Sequence, residues 1–259
     1  MNFGGADISA WVASYLWPLF RIGALVTAAP IFGSPAVPVR IRAGLAVLLT
    51  LVIAPVIPAA PAIEPFSAAG VMITVQQVLI GLAMGFALQL VFGAFVLGGQ
   101  LIAMSLGLGF AAMNDPISGV AVPTISQFYT VMVTLLFLAL NGHLVLIDVL
   151  AESFRTLPIA PQGLTPNGLW GLLVWAGHLF SGAVLIALPA MTALLIINLG
   201  LGIMTRAAPQ LNIFAVGFLI TMLCGFVVML LTLPSVLPPL LSLSDAAFTM
   251  LRQLLTAEG

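Results

Sequence analysis

Few residues of this 259-residue chain have side chains that could carry out chemistry. There are two histidines, His143 and His178, and one cysteine, Cys224, which lies in an apolar run. Two histidines cannot form a multi-histidine metal site, and His143 and Asp148 do not share a helical face. The sequence has no HExxH or CxxC motif, and residues 105–109, SLGLG, lack the spacing of a phosphate loop. We therefore predict no catalytic residues, no metal and no cofactor.

Arg21 is the one clear charge inside an apolar run. By default, an ionisable residue at membrane depth marks a substrate or ion pathway, or pairs with another charge. The alternative is that Arg21 snorkels or pairs with an acid on a neighbouring helix. Three further polar residues could serve a small-molecule transporter, namely Asn141, His143 and Asn198. The hydropathy shows no strong inverted repeat, which counts against that class of protein.

Two segments between apolar runs are unusual. Residues 107–123, GLGFAAMNDPISGVAVP, are apolar and glycine-rich around a turn-forming Asn-Asp-Pro. Irregular backbone at membrane depth is tolerated only where it is buried in protein or lines a cavity. From the residues alone, this segment is either a loop inside a pore or a packed re-entrant loop. Residues 206–214, RAAPQLNIF, form a polar hairpin tip that is either solvated or in contact with a partner.

The composition excludes an ordinary water-soluble protein. Hydrophobic residues make up 62% of the chain and charged residues 5%, and the mean hydropathy is +1.28. A soluble chain of this length would carry roughly 65 charged residues, whereas this one has six basic and seven acidic residues. Disorder is excluded because it requires low hydrophobicity and high charge. With no basic patch for nucleic acid, the surface must meet lipid or protein partners.

Six long apolar runs predict an all-α membrane protein. The runs cover about 8–31, 43–57, 69–106, 124–146, 169–199 and 213–237, and an amphipathic tail helix is predicted at 240–255. The third run is either two spans or one helix of about 57 Å, against a hydrocarbon core of roughly 30 Å. Pro18 and Pro189 predict kinks. The arginines weakly favour odd-numbered loops in the cytoplasm and both termini outside.

Four stretches resemble the FliR family of flagellar biosynthesis proteins, whose injectisome relatives are called SctT. The stretches are RIGALVTAAPIFGSPAVPVRIRAGLA at 21–46, GFAAMNDPISGVAVPTISQF at 109–128, FLALNGHLVLI at 137–147 and TRAAPQLNIFAVGF at 205–218. The resemblance covers nearly the whole chain. The residues of the stretches at 109–128 and 205–218 favour the flagellar branch over the injectisome branch. It implies a subunit of the flagellar type III export gate, in the basal body and the bacterial inner membrane. With FliP and FliQ, such a subunit forms the channel that unfolded flagellar substrates cross.

The resemblance also implies a fold and roles for particular residues. It implies a FliP-like part at about 1–165 and a FliQ-like helical hairpin with a C-terminal tail at 166–259. The family's gate sits largely above the bilayer, which implies that not every run is a span. The family's channel plug matches about 109–122 and includes Phe110, Met113, Asn114, Asp115, Pro116, Ser118 and Gly119. The cytoplasmic mouth, where an FlhB-like partner is expected, matches Arg206, Gln210, Leu211 and Asn212.

Two other function classes remain as alternatives to an export-gate subunit. One is a multi-span small-molecule transporter or channel, which would use the intramembrane polar residues. The other is a non-conducting assembly scaffold, which would need the apolar helices but not the segment at 107–123.

Overall fold

The chain is built from helices. The computed structural model describes residues 5–61, 63–108, 124–207 and 213–256, and these parts contain no β-strand. The predicted all-α membrane class is confirmed. The helices are α1 (Gly5–Ala28), α2 (Val39–Ile53), α3 (Ala68–Ser105), α4 (Thr124–Ala139), α5 (Gly142–Thr156), α6 (Pro166–Trp175), α7 (His178–Ala207), α8 (Ile213–Thr232) and α9 (Leu237–Thr256). Short 3-10 turns, Ala54–Val56 and Leu233–Val236, follow α2 and α8.

The third apolar run is one uninterrupted helix, not two spans. α3 contains 38 residues and is therefore about 57 Å long. In its most apolar 18-residue window, 67% of the residues are buried inside the chain, whereas the corresponding windows of the other long apolar stretches are 17–22% buried. A helix that is apolar on all sides is typical of a core position. α3 is thus the main contributor of core residues among the long helices.

The fourth and fifth predicted runs are each broken into two helices. The fourth divides into α4 and α5, whose axes differ by 66° across Leu140 and Asn141. Asn141 has the left-handed conformation, with φ of 58°, and such a residue ends a right-handed helix. The fifth run divides into α6 and α7 at Ala176 and Gly177.

Proline and threonine set the start of α6. Pro166 is its first residue, where a missing N–H is harmless, and the Thr165 hydroxyl accepts the Gly168 N–H at 3.1 Å. Pro18 and Pro189 lie inside α1 and α7, which continue past them. The kinks expected at these two prolines stay a prediction.

Two of the predicted runs each correspond to a single helix. The amphipathic tail is confirmed as α9, in which Asp245 and Arg252 are exposed while Leu251 is fully buried. The second run begins earlier than predicted, at Val39, so Arg40 and Arg42 lie in the first turn of α2 instead of the preceding loop.

The chain separates into two compact units. The first comprises Met1–Leu90, Leu140–Gly177 and Ser244–Gly259, and thus α1, α2, the start of α3, α5, α6 and most of α9. The second comprises Val91–Ala139 and His178–Leu243, and thus the rest of α3, α4, α7 and α8. The division predicted near residue 165 concerns likeness to FliP and FliQ, and it stays a prediction.

Within the first unit, α1 and α3 run parallel and touch through small residues. A Cβ atom at Gly81 would collide with the carbonyl oxygen of Arg21, and one at Gly85 would collide with Ala28. Helix backbones approach this closely where one helix presents glycine. The Gly81–Gly85 pair therefore fixes the distance that the Arg21 side chain must bridge.

Long apolar faces remain uncovered by the described residues. Among those residues, four stretches are long and apolar enough to cross a membrane, Val39–Val56, Ala68–Ser105, Pro166–Met204 and Leu219–Thr256, and the bent α4–α5 pair could supply a fifth. On α7, the side chains of Phe180, Leu185, Ile196 and Ile203 are 65–72% exposed. Soluble monomers rarely expose apolar patches of this extent, so these faces contact lipid or partner subunits.

We expect Asn141→Val to lower the free energy of unfolding by about 1–2 kcal/mol, because β-branched residues tolerate positive φ poorly. Asn141→Gly should stay close to wild type, because glycine adopts this conformation without strain. Thermal unfolding of the detergent-solubilised chain, followed by far-UV circular dichroism, measures both effects. Equal stability of the two variants would contradict a left-handed residue at the α4–α5 bend.

Candidate functional site

Arg21 lies at the centre of a buried polar cluster in the first unit. Its side chain is 0% exposed. Nε donates to Oε1 of Gln77 at 2.8 Å, and Nη1 donates to the carbonyl oxygen and Oγ of Ser153 at 2.8 and 3.0 Å. Nη2 donates to the carbonyl oxygen of Leu157 at 2.9 Å. One guanidinium therefore joins α1, α3 and the end of α5.

The C-terminal end of α5 is a favourable place for this cation. Ser153 lies in the last turn and Leu157 is the C-cap residue, where free carbonyls and the helix dipole give a negative potential. The Ser153 hydroxyl donates to the carbonyl oxygen of Leu150 at 2.6 Å and so presents a lone pair to Arg21. The guanidinium carbon also lies 4.2 Å from the centre of the Phe154 ring, a cation–π distance.

This geometry bears on both interpretations of Arg21. The side chain does not snorkel, because it is fully buried. Within the described ranges its hydrogen-bond partners are neutral, and the one ion pair found there joins Arg252 and Glu152 on the surface, at 3.6 Å. Arg21 is thus a cross-link between three helices. No local signal in the sequence identified Gln77 or Ser153 as its partners.

The other polar residues considered for a transporter lie at separate places in the fold. Asn141 forms the α4–α5 bend, and His143 follows it in the first turn of α5. Asn198 on α7 accepts the hydroxyl proton of Thr221 on α8 at 3.1 Å. Over the part of the chain that the structure covers, no three His, Cys, Asp or Glu residues lie close enough to hold a metal ion.

In the second unit, α3 and α4 form a tight antiparallel hairpin. The hydroxyl of Ser126 donates to the carbonyl oxygen of Val96 at 3.0 Å, and the Phe92 and Phe137 rings meet edge to face, 5.5 Å apart. The connection between these helices, residues 106–123, contains 18 residues. Packed helices need only about 2–8 connecting residues, so this connection is longer than the hairpin requires.

Comparison with known proteins identifies the family. Residues 12–247 match the family described as bacterial export proteins, family 1. The chain is 40% identical to the flagellar biosynthetic protein FliR of Pectobacterium carotovorum subsp. carotovorum, over 99% of this chain and 98% of that protein. The chain belongs to the FliR family of bacterial export proteins. FliR of Escherichia coli (strain K12) is 38% identical over 95% and 94% of the two chains, and FliR of Aquifex aeolicus (strain VF5) is 32% identical over 86% of each.

Most of the residues predicted to form the plug and mouth of this FliR-family chain lie outside the described residues. They are Phe110, Met113, Asn114, Asp115, Pro116, Ser118 and Gly119 of the plug, and Gln210, Leu211 and Asn212 of the mouth. Arg206 is described, and it is exposed in the last turn of α7, where the helix dipole favours a cation. The plug and mouth roles stay predictions.

Proposed function

We propose that this FliR-family chain is a subunit of the flagellar type III protein export gate in the bacterial inner membrane, at the flagellar basal body. The observation that carries the proposal is the nearly full-length similarity to FliR, at 40% identity over 99% of the chain. The relatives are named flagellar biosynthetic proteins, and the matching family is one of bacterial export proteins. The proposed role is to form a path for unfolded flagellar substrates, not to catalyse a reaction.

Partners of the FliP, FliQ and FlhB kinds are the second part of this proposal. The α7–α8 hairpin supports it, because its two helices are linked by the Thr221–Asn198 hydrogen bond but leave their outer faces open. On α8, Leu223, Leu230 and Leu231 are 60–76% exposed. Membrane helices bury such faces by packing against other helices, and neighbouring subunits of the gate would supply them.

The segment at about 109–122 is the proposed channel plug. Two features support this role: its length, which exceeds what the α3–α4 hairpin requires, and its apolar, glycine-rich composition. Phe110 is a large apolar side chain and Met113 a flexible one, and both are suited to filling a pore. In this mechanism the plug and the mouth, Arg206 to Asn212, hold the channel shut at rest. Substrate engagement, powered by other components, displaces residues 110–119.

Deletion of the chromosomal gene tests the proposed function. We expect cells that secrete no flagellar substrates into the medium and do not swim, because one wall of the export path is missing. A plasmid copy of the wild-type gene should restore both properties, and the empty plasmid serves as the control. Normal secretion and swimming in the deletion strain would contradict the proposal.

A further inference from the structure

An apolar groove opens on the first unit between α1, α2 and α3. Its volume is about 510 Å³, within the range of roughly 300–1,000 Å³ that is typical of ligand sites. A Cβ atom at Gly23 would meet no atom within 4 Å, so the groove is open at this residue. Its lining includes Phe20, Gly23, Thr27, Arg42, Ala43 and Leu82.

Arg42 is the one charged residue among those that line this groove. Its Nε donates to the carbonyl oxygen of Val37 at 3.0 Å, and Nη2 donates to that of Ser34 at 2.9 Å. These two bonds hold the guanidinium in place at the start of α2. Within the described ranges, Nη1 has no hydrogen-bond partner and Arg42 forms no ion pair.

The positive charge at this end of α2 is not balanced nearby along the chain. Residues 8–63 contain Arg21, Arg40 and Arg42 but no acidic residue. The first turn of a helix adds positive potential of its own. The distribution of arginines also favours a cytoplasmic location for the loop before α2, and the cytoplasmic leaflet carries anionic lipid.

We propose that this groove binds an anionic phospholipid. One acyl chain occupies the apolar length of the groove over Gly23, and the lipid phosphate accepts hydrogen bonds from Nη1 of Arg42. Basic pockets between membrane helices on the cytoplasmic side bind such headgroups. Charge complementarity favours a lipid over an apolar helix of a partner, because that helix would leave the Arg42 charge buried without a counter-ion.

Photolabelling with a lipid tests this proposal without any measurement of export. The full chain, purified with its co-purifying subunits, is reconstituted in nanodiscs that contain phosphatidylglycerol with a photoreactive acyl chain. We expect labelled peptides from residues 19–27 and 39–46. Unlabelled phosphatidylglycerol should compete for this labelling, and phosphatidylcholine should not. In Arg42→Gln, about five times more unlabelled phosphatidylglycerol should be needed to compete, because one basic residue near the surface contributes about 1 kcal/mol. Arg42→Lys keeps the charge, and its competition should stay close to wild type.

Two matched controls separate the groove from the general lipid surface. Gly23→Leu fills the groove and should abolish the labelling, whereas Gly44→Leu, also in open space but outside the groove lining, should not. Arg40→Gln, in the same helical turn as Arg42, should have little effect, because residues two apart face different directions. Labelling that is insensitive to Gly23→Leu, or equal competition by the two lipids, would overturn the proposal. So would a complete absence of label in the groove, which would indicate that a protein subunit covers it.

Discussion

Replacing Arg21 by leucine is expected to lower the free energy of unfolding by roughly 3 kcal/mol and to prevent stable incorporation into the export gate. The substitution leaves the side-chain oxygen of the fully buried Gln77 and the partly buried Leu157 carbonyl without their donor. It also removes the only contact that joins α1, α3 and the end of α5 through a single side chain in the described first unit. The amount of chain that co-purifies with its partner subunits measures the effect.

Two companion variants make the Arg21 result specific. Arg155→Leu removes an exposed arginine from the last turn of α5 and should leave assembly unchanged. Arg21→Lys keeps the charge but loses the planar fork that reaches two helices at once, so its yield of assembled complex should lie between wild type and Arg21→Leu. If Arg21→Leu assembled as well as wild type, the hydrogen bonds of Arg21 would contribute nothing to the stability of the complex.

Deleting residues 110–118 should make membranes that contain the assembled gate permeable to small ions. The α3–α4 hairpin is held by Ser126 and the Phe92–Phe137 pair, all outside the deletion. The connection still has enough residues to join the two helices after nine are removed, so we expect the complex to form. Ion leak through the channel, measured as loss of membrane potential in cells that co-express the partner subunits, is the readout.

The same deletion expressed without the partner subunits provides the control for this leak, because no channel forms and the membrane should stay tight. Tight membranes around an assembled deletion complex would count against a plug at 109–122. If export also continued normally in that complex, the segment would be a packed loop and the chain an assembly scaffold.

Hydropathy predicted the positions of most helices but not where they break. The apolar run at 69–106 and the tail at 240–255 became α3 and α9 within a few residues, because long apolar or amphipathic segments have few alternatives to helix. The α4–α5 bend was missed because it depends on the left-handed conformation of Asn141. The sequence signal for the bend is one Asn-Gly pair, Asn141 and Gly142, inside an apolar run. This signal is weaker than the continuous hydropathy on either side, which predicts one unbroken helix.

The buried cluster could be predicted only as far as Arg21 itself. A lone arginine in an apolar run identifies a polar contact, but its partners are 56, 132 and 136 positions away in sequence. Pairing over such distances is set by how α1, α3 and α5 pack, and the glycine contact at Gly81 is part of that packing. The roles of residues 109–122 and 206–212 came from family resemblance, because their composition alone also suits an ordinary loop.

Native mass spectrometry of the chain, co-expressed with the products of its neighbouring genes and extracted in mild detergent, is the decisive test of the proposed export-gate function. We expect a large hetero-oligomer that contains one copy of this chain together with FliP-like and FliQ-like subunits. A stable particle that contains only this chain would contradict the export-gate function. That result would favour a small-molecule transporter instead, which should be stable alone and bind a solute.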